Sequence, residues 1–503
     1  MSLDFSSQAH YIWALLPEIV LSIWAMGLLV AGVTERIAGS DDAGSTLGWW
    51  TAGGLVVAGV ANGWLHGVAE VGTGSMIAGD PFRLFANWIF LGAAAFSVLI
   101  SFAYVQRQRL QVGEYYALIL FSTVGMMLMA AARDLIVIFL ALEVMSVAVY
   151  ALAALNRRDR RSAEAGLKYF ILGAFSSGFF LFGIAMAYGA TGSTQIGPIA
   201  EAVATGAVHT PFLLAGVMLL IVGFAFKVSA VPFHMWTPDV YEGSPAPVTA
   251  FMSVAVKAAA FVAFFRVFLV AFDGVYESWW AVLWWIAAIT MVVANLVALV
   301  QSNVKRMLAY SSIAHAGYVL VALVAANELA AAGMLFYLLV YALMNIGAFG
   351  IVITVAHQGE DRLQIEDYGG FGWQQPALGV FLTVFLLSLA GFPGTGGFMG
   401  KIYLLQGAAD ARLWVLSIVL VLTTLVSYWY YLRVAWYMWM QEAPTEDAHT
   451  GLYVPLPMQA ALLAGVLLVL YTGVLPGAAL EWALAGVEGL GLGSAGGVFG
   501  LAP

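Results

Sequence analysis

Four lysines lie inside or against long apolar runs: Lys168, Lys227, Lys257 and Lys401. The fifth and last, Lys305, stands beside Arg306 at a segment boundary. A charge at a bilayer centre costs roughly 2.5–3.5 kcal/mol on insertion scales, and four such groups in one chain point to use. Withdrawal from water disfavours an ammonium, so a lysine placed there can load and release a proton. Lys257 lies deepest, mid-run in "VTAFMSVAVKAAAFVAFF", too far from either end for its stem to reach water. The plainer reading of Lys227 and Lys257 is a static lysine held by a carboxylate. Glu143, in "LIVIFLALEVMSVAVYAL", is the carboxylate best placed for this. Lys227 is its expected partner, since an opposite charge favours the ionised form. Such a pair is switchable, because a proton arriving at one member weakens the hold of the other; a structural ion pair is the alternative.

Lys401 follows a glycine-rich stretch whose free carbonyls and water can meet its ammonium; a capping role is the alternative. Lys168 is four residues after Glu164. A surface pair at i,i+4 explains it as well as a bridge between deeper sites. His234 and His315 belong to the residue type that titrates near neutrality and are candidate relays, although a lone histidine also serves as a hydrogen-bonded packing group. Asp239 and Glu242, in "WTPDVYEGSPAPVTAF", fall in a loop and could line a proton access route. Arg157, Arg158, Arg160 and Arg161 read as a topology determinant rather than a docking patch. No His/Asp/Glu cluster has metal-ligand spacing, and no Ser-His-Asp arrangement can be argued.

The elements that must position these groups are membrane helices. Hydrophobic residues make up 62% of the 503 and charged residues 9%, against about 25% charged in soluble domains, and mean hydropathy is +0.92. The absence of cysteine excludes cysteine-ligated iron–sulfur clusters, thiol catalysis and a disulfide framework. No GxxxxGK[ST] phosphate loop is present, so the energy used must come from a gradient or a partner. At about 20 apolar residues per crossing, fourteen spans are expected: 11–33, 47–66, 84–106, 115–132, 134–156, 162–189, 211–231, 245–271, 278–302, 307–327, 329–356, 376–407, 413–440 and 454–475. Residues 1–10 hold no Lys or Arg, so the first span is expected to be retained rather than cleaved. Loops after odd-numbered spans carry eleven basic residues and loops after even-numbered spans three, Arg83, Arg133 and Arg412. The odd loops are therefore expected in the cytoplasm and both termini on the other side.

Two spans should be broken. Pro232 interrupts "FAFKVSAVPFHMW", clashing with the carbonyl of Val228 next to Lys227. Pro393 and five glycines interrupt "LAGFPGTGGFMGKIYLL" just before Lys401. Broken helices at matching places in two halves mark transport sites. Here they fall in the fourth helix of two consecutive five-helix blocks, and an odd block length inverts the second. The expected division is a three-helix segment over 1–114, a first repeat over 115–277, an inverted repeat over 278–441, and a C-terminal helix with a Gly-rich tail over 442–503.

"FKVSAVPFHMWTPDVYEGSPAPVTAFMSVAVKAAAF", "NVKRMLAYSSIAHAGYVL" and "GFPGTGGFMGKIYLL" resemble the antiporter-like proton-pumping subunits of respiratory complex I, and their wording resembles the subunit N branch of NADH–quinone oxidoreductase. The resemblance covers essentially the whole chain. It implies an all-α membrane fold of about fourteen helices with two inverted five-helix repeats and broken helices seven and twelve. It implies that Glu143 and Lys227 form a pair, that Lys257, Lys401 and Lys168 continue a proton line, and that His234 and His315 belong to the same hydrophilic axis. Flavin (FMN), iron–sulfur clusters and quinone are then expected in other subunits, with no cofactor, metal or redox chemistry in this chain. Expected partners are another antiporter-like subunit, small helical membrane subunits and membrane lipids, not nucleic acid. The expected location is the bacterial inner membrane. A cation/proton antiporter subunit and a non-conducting scaffold are the rival readings.

Overall fold

A computed structural model describes residues 2–4, 8–33, 43–71, 76–108, 110, 112–355, 362–443, 449 and 451–490. Arg36 and Arg109, two of the charges used for orientation, and the last part of the tail lie outside these residues.

Helices dominate because an apolar backbone in lipid must satisfy its own hydrogen bonds. The few polar residues sit where helices need them. Asp80, Asp134, Asp159 and Asn303 cap the helices Pro81–Arg107, Leu135–Ala153, Arg160–Thr191 and Val304–Ala325, each accepting from a first-turn backbone N–H. Among the described residues, twelve helices are long and apolar enough to cross a membrane. The expected second span is the 23-residue helix Ala43–Leu65, which lies outside those twelve. The expected twelfth is two 15-residue helices, Pro376–Ala390 and Gly396–Asp410.

The expected seventh span is broken as well. Its first half is Thr210–Lys227, and the chain resumes helix only at Trp236–Gly243. The groups freed at this break find partners inside the protein: Trp236 Nε1 donates to the Phe226 carbonyl at 3.1 Å, and the Val231 N–H donates to Thr290 Oγ1 at 2.9 Å. Three features were not foreseen. The helix Ile196–Ala204 has one apolar face, the helix Gly477–Val487 lies in what reads as a Gly-rich tail, and two π-helical turns, Met252–Val256 and Val267–Ala271, flank the segment Lys257–Arg266.

The helices are not equivalent in depth. In Ala246–Ala271 and Val304–Ala325, 94% of the most apolar window is buried by protein, against 33% in Leu16–Val33 and Arg160–Thr191. Lys257 and His315 therefore ride on the most enclosed helices. The connections sort into two groups. At one end Ile77 bridges Ala132 and Asp134 bridges Gln195; at the other Asn303 bridges Gln364 and Lys168 meets Asp239. Even-numbered connections thus touch each other, as do odd-numbered ones, which is what strict alternation of spans requires.

Candidate functional site

Lys227, Lys257 and Lys401 are 1%, 3% and 5% exposed. Among the described residues, no ion pair joins any of them to a carboxylate. Neutral oxygens and ring faces hold them instead. Lys227 Nζ donates to Ser146 Oγ at 2.8 Å and Tyr150 Oη at 3.1 Å, and faces the rings of Tyr150, Tyr169 and Phe226 at 5.3, 6.0 and 5.9 Å. Lys257 Nζ donates to Ser312 Oγ at 2.6 Å and the Ser312 carbonyl at 3.1 Å, with the Tyr241 ring at 5.6 Å. Lys401 Nζ donates to the carbonyls of Leu389 and Ala390 at 3.1 and 3.0 Å and stands 4.8 Å from the Tyr318 ring. Those carbonyls end the helix before the break, where the backbone dipole favours a cation. The cap and the anticipated carbonyl cradle are thus one contact. Gly391 is needed here: its φ is +86°, and a Cβ would come within 3.3 Å of the Lys401 ammonium nitrogen.

The expected Glu143–Lys227 ion pair is not formed. Glu143 Oε1 accepts from Ser177 Oγ at 2.5 Å. It lies half-buried among exposed Leu140, Val144 and Val147, turned toward the Arg160–Thr191 helix. One turn further along the Glu143 helix, Ser146 reaches the ammonium first and itself donates to the Leu142 carbonyl at 2.5 Å. The helix is right and the contact residue is Ser146.

Lys168 is 41% exposed and pairs with Glu164 and Asp239, both at 2.8 Å. The surface reading is therefore the one observed, and Lys168 does not bridge Lys227 and Lys257. Arg306 Nη1 joins Asp239 and Glu242, both at 2.9 Å. Burial pushes the Asp239 carboxyl up, but hydrogen bonds from Lys168 and Arg306 outweigh it and hold the group below its ordinary range. Arg161, Glu164, Lys168, Asp239 and Glu242 line a polar cavity of about 220 Å³. His234 is half-buried in the break. His315 is enclosed, hydrogen-bonded through Nδ1 to Tyr337 at 2.5 Å and through Nε2 to Tyr431 at 3.0 Å; Tyr431 also bonds Ser311.

Two groups escaped the sequence reading. Lys305, taken as a boundary residue, is 1% exposed, with Nζ donating to the Ser244 carbonyl at 2.7 Å. The signal was a cation in the first turn of a helix, where the dipole opposes it. At the other end Arg266 grips Asp80 bidentately at 2.6 and 2.8 Å, and Arg83 meets Glu18 at 2.6 Å, all four residues buried. Arg266 stands inside an apolar run as plainly as the lysines do, and the same insertion argument applies to it.

The family model described as "NADH:quinone oxidoreductase/Mrp antiporter, TM" matches residues 132–427. The chain is 46% identical to NADH-quinone oxidoreductase subunit N of Trichlorobacter lovleyi over 94% of its length and 96% of the relative's. It is 44% identical to subunit N of Chloroflexus aggregans, over 89% and 92%. Its structure is similar to a chain of respiratory complex I from Thermus thermophilus with bound aureothin, with TM-score 0.79 and 34% identity over 93% of this chain and 99% of that one. A chain of the Mrp complex from a Dietzia species shares the fold, with TM-score 0.80 at 21% identity over 94% and 97%. The chain belongs to the NADH-quinone oxidoreductase subunit N family, the antiporter-like membrane subunits of complex I involved in proton translocation.

Proposed function

We propose that this chain carries protons through Lys227, Lys257 and Lys401. The polar cavity at Lys168, Asp239 and Glu242 is the access mouth, and Glu143, one turn from Ser146 on the helix that holds Lys227, is the switchable charge. The observation that carries this reading is the neutral coordination of the three buried lysines. A lysine locked to a carboxylate leaves an uncompensated anion behind when it loses its proton, at a cost of several kcal/mol in a dry site. A lysine held by hydroxyls, carbonyls and ring faces leaves none, so both protonation states are open to it. His315, with Tyr337 and Tyr431, lies between the Ser311–Ser312 corner at Lys257 and the second helix break, and links the two halves, which we read as inverted repeats. His234 serves the Lys257 side.

In this reading protons pass from cytoplasm to periplasm, both termini being periplasmic and the membrane the bacterial inner membrane. Electron transfer from NADH to quinone takes place in other subunits, which hold the flavin, clusters and quinone. The apolar face around Glu143, with Leu140, Val144 and Val147 exposed on the lone chain, is where a small helical subunit packs. Another antiporter-like subunit and membrane lipids cover further faces. Lys257→Ala in the assembled complex tests the reading, with NADH-driven acidification measured in proteoliposomes in sodium-containing and sodium-free media. Loss of acidification in both media, with the complex intact, is expected. Full acidification in the intact variant overturns the lysine line, and strict sodium dependence in the unmutated complex favours the antiporter reading.

A further inference from the structure

The surroundings of Lys257 are polar on one side only. Toward the Asp239–Arg306 end stand Ser253, Asn345 and Tyr241, with Asn345 Nδ2 donating to Ser253 Oγ at 2.7 Å. Sideways lie Ser312 and, one residue on, the Ser311–Tyr431–His315 chain. Toward the Asp80 end the helix presents only carbon. Phe261 and Phe264 follow Lys257 by four and seven residues, which places all three on one face of the α-helical segment. Below Lys227, Phe224 lies one turn back along its own helix and stacks on Phe264 at 4.6 Å. Phe264 meets Phe268 at 4.8 Å, and Phe268 meets Trp279 at 5.3 Å. Phe180, from a fourth helix, closes on Phe224 at 4.9 Å. All these side chains are fully or almost fully buried. The one polar atom among the rings, Trp279 Nε1, is taken by the Phe272 carbonyl at 2.9 Å.

The reverse face of the same segment is fixed. Arg266 is nine residues from Lys257, half a turn round the helix. Its bidentate grip on Asp80 ties the segment to the Pro81–Arg107 helix. The π turns at Met252–Val256 and Val267–Ala271 bracket the segment, and a clamp on its back helps set which residues face forward.

We propose that Phe224, Phe264, Phe268 and Trp279 form a dry seal that closes off Lys227 and Lys257 from the Asp80 end, with the Asp80–Arg266 pair holding it in register. Water excluded by a hydrophobic constriction cannot carry protons. A proton on Lys257 then leaves only sideways, toward His315 and Lys401. The proposal rests on the lysine line set out above.

The test is passive proton flow. The intact complex carrying Phe264→Ser with Phe268→Ser is placed in proteoliposomes without NADH, a potassium–valinomycin potential is imposed, and internal pH is followed with a trapped dye. A severalfold faster proton flux than in the unmutated complex is expected, with Phe264→Leu/Phe268→Leu remaining tight. If the serine pair fails to assemble, Phe264→Ala alone is used, with the same outcome expected. An assembled variant as tight as the unmutated complex overturns the seal. Adding Lys257→Ala to the leaking variant separates the two proposals. A leak that disappears supports both, whereas one that persists upholds the seal and removes Lys257 from the path.

Discussion

Ser146→Ala should remove the shorter of the two hydrogen bonds by which the Glu143 helix, Leu135–Ala153, holds Lys227. The Ser146 hydroxyl has its proton engaged by the Leu142 carbonyl and offers a lone pair to the Lys227 ammonium at 2.8 Å. It is the shorter of the two side-chain hydrogen bonds that Lys227 makes; the other, to Tyr150, is 3.1 Å. A hydrogen bond to a charged group contributes about 1.5–3 kcal/mol, and here both groups are buried. If transfer through Lys227 limits pumping, that loss slows turnover roughly ten- to 150-fold, at about 1.36 kcal/mol per decade. The assay is the initial rate of NADH-driven acidification in proteoliposomes, normalised to assembled complex. Ser146→Thr, which keeps the hydroxyl, should restore most of the rate. Undiminished pumping in an intact Ser146→Ala complex would refute the reasoning, because the Tyr150 contact from the same helix would then suffice to hold Lys227.

Two other outcomes follow from particular contacts. Gly391→Ala should impair pumping without replacing any ionisable group, since its φ of +86° strains any L side chain and the new Cβ lies 3.1 Å from Lys401 Cδ; acidification rate against assembly checks this. Asp80→Asn should loosen the Asp80 end by about 3–5 kcal/mol, the cost of leaving a buried arginine unpaired. Burial pushes Asp80 up, but Arg266, Arg83 and Arg133 together hold it below its ordinary 3.8. Its contribution is therefore present above the ordinary carboxylate range and is lost only as pH falls through the depressed value. Melting of the subunit within the detergent-solubilised complex should show this acid limb in the unmutated protein and not in Asp80→Asn.

Much of the fold was legible because lipid allows so few backbone solutions. Apolar runs of twenty residues specify helices, and the breaks at Pro232 and at Gly391–Gly397 could be read from residues that cannot continue one. Lys257 was legible as buried because nothing near it in sequence offers water. Lys168 and Lys305 show the limit. The sequence around Lys168 left a surface pair and a deeper bridge open, and that around Lys305 marked only a helix boundary; the structure pairs Lys168 at the surface and buries Lys305, since exposure is set by which helices pack alongside.

Composition and apolar patterning alone determined that this chain is a bundle of membrane helices with costly cations inside. Tertiary structure decided what those cations touch. Glu143 and Lys227 lie on separate helices, and only the rotation of those helices about their axes made Ser146 and Tyr150, rather than the carboxylate, the partners of the ammonium. Rotation is fixed by packing across many helices, as at Gly125, where a Cβ would meet the Met145 backbone at 2.5 Å. Partners 55 to 81 residues away in sequence leave no local trace, so the neutral cages around Lys227 and Lys257 became visible only in three dimensions, whereas the carbonyls that meet Lys401 lie 11 and 12 residues back and could be read from the break.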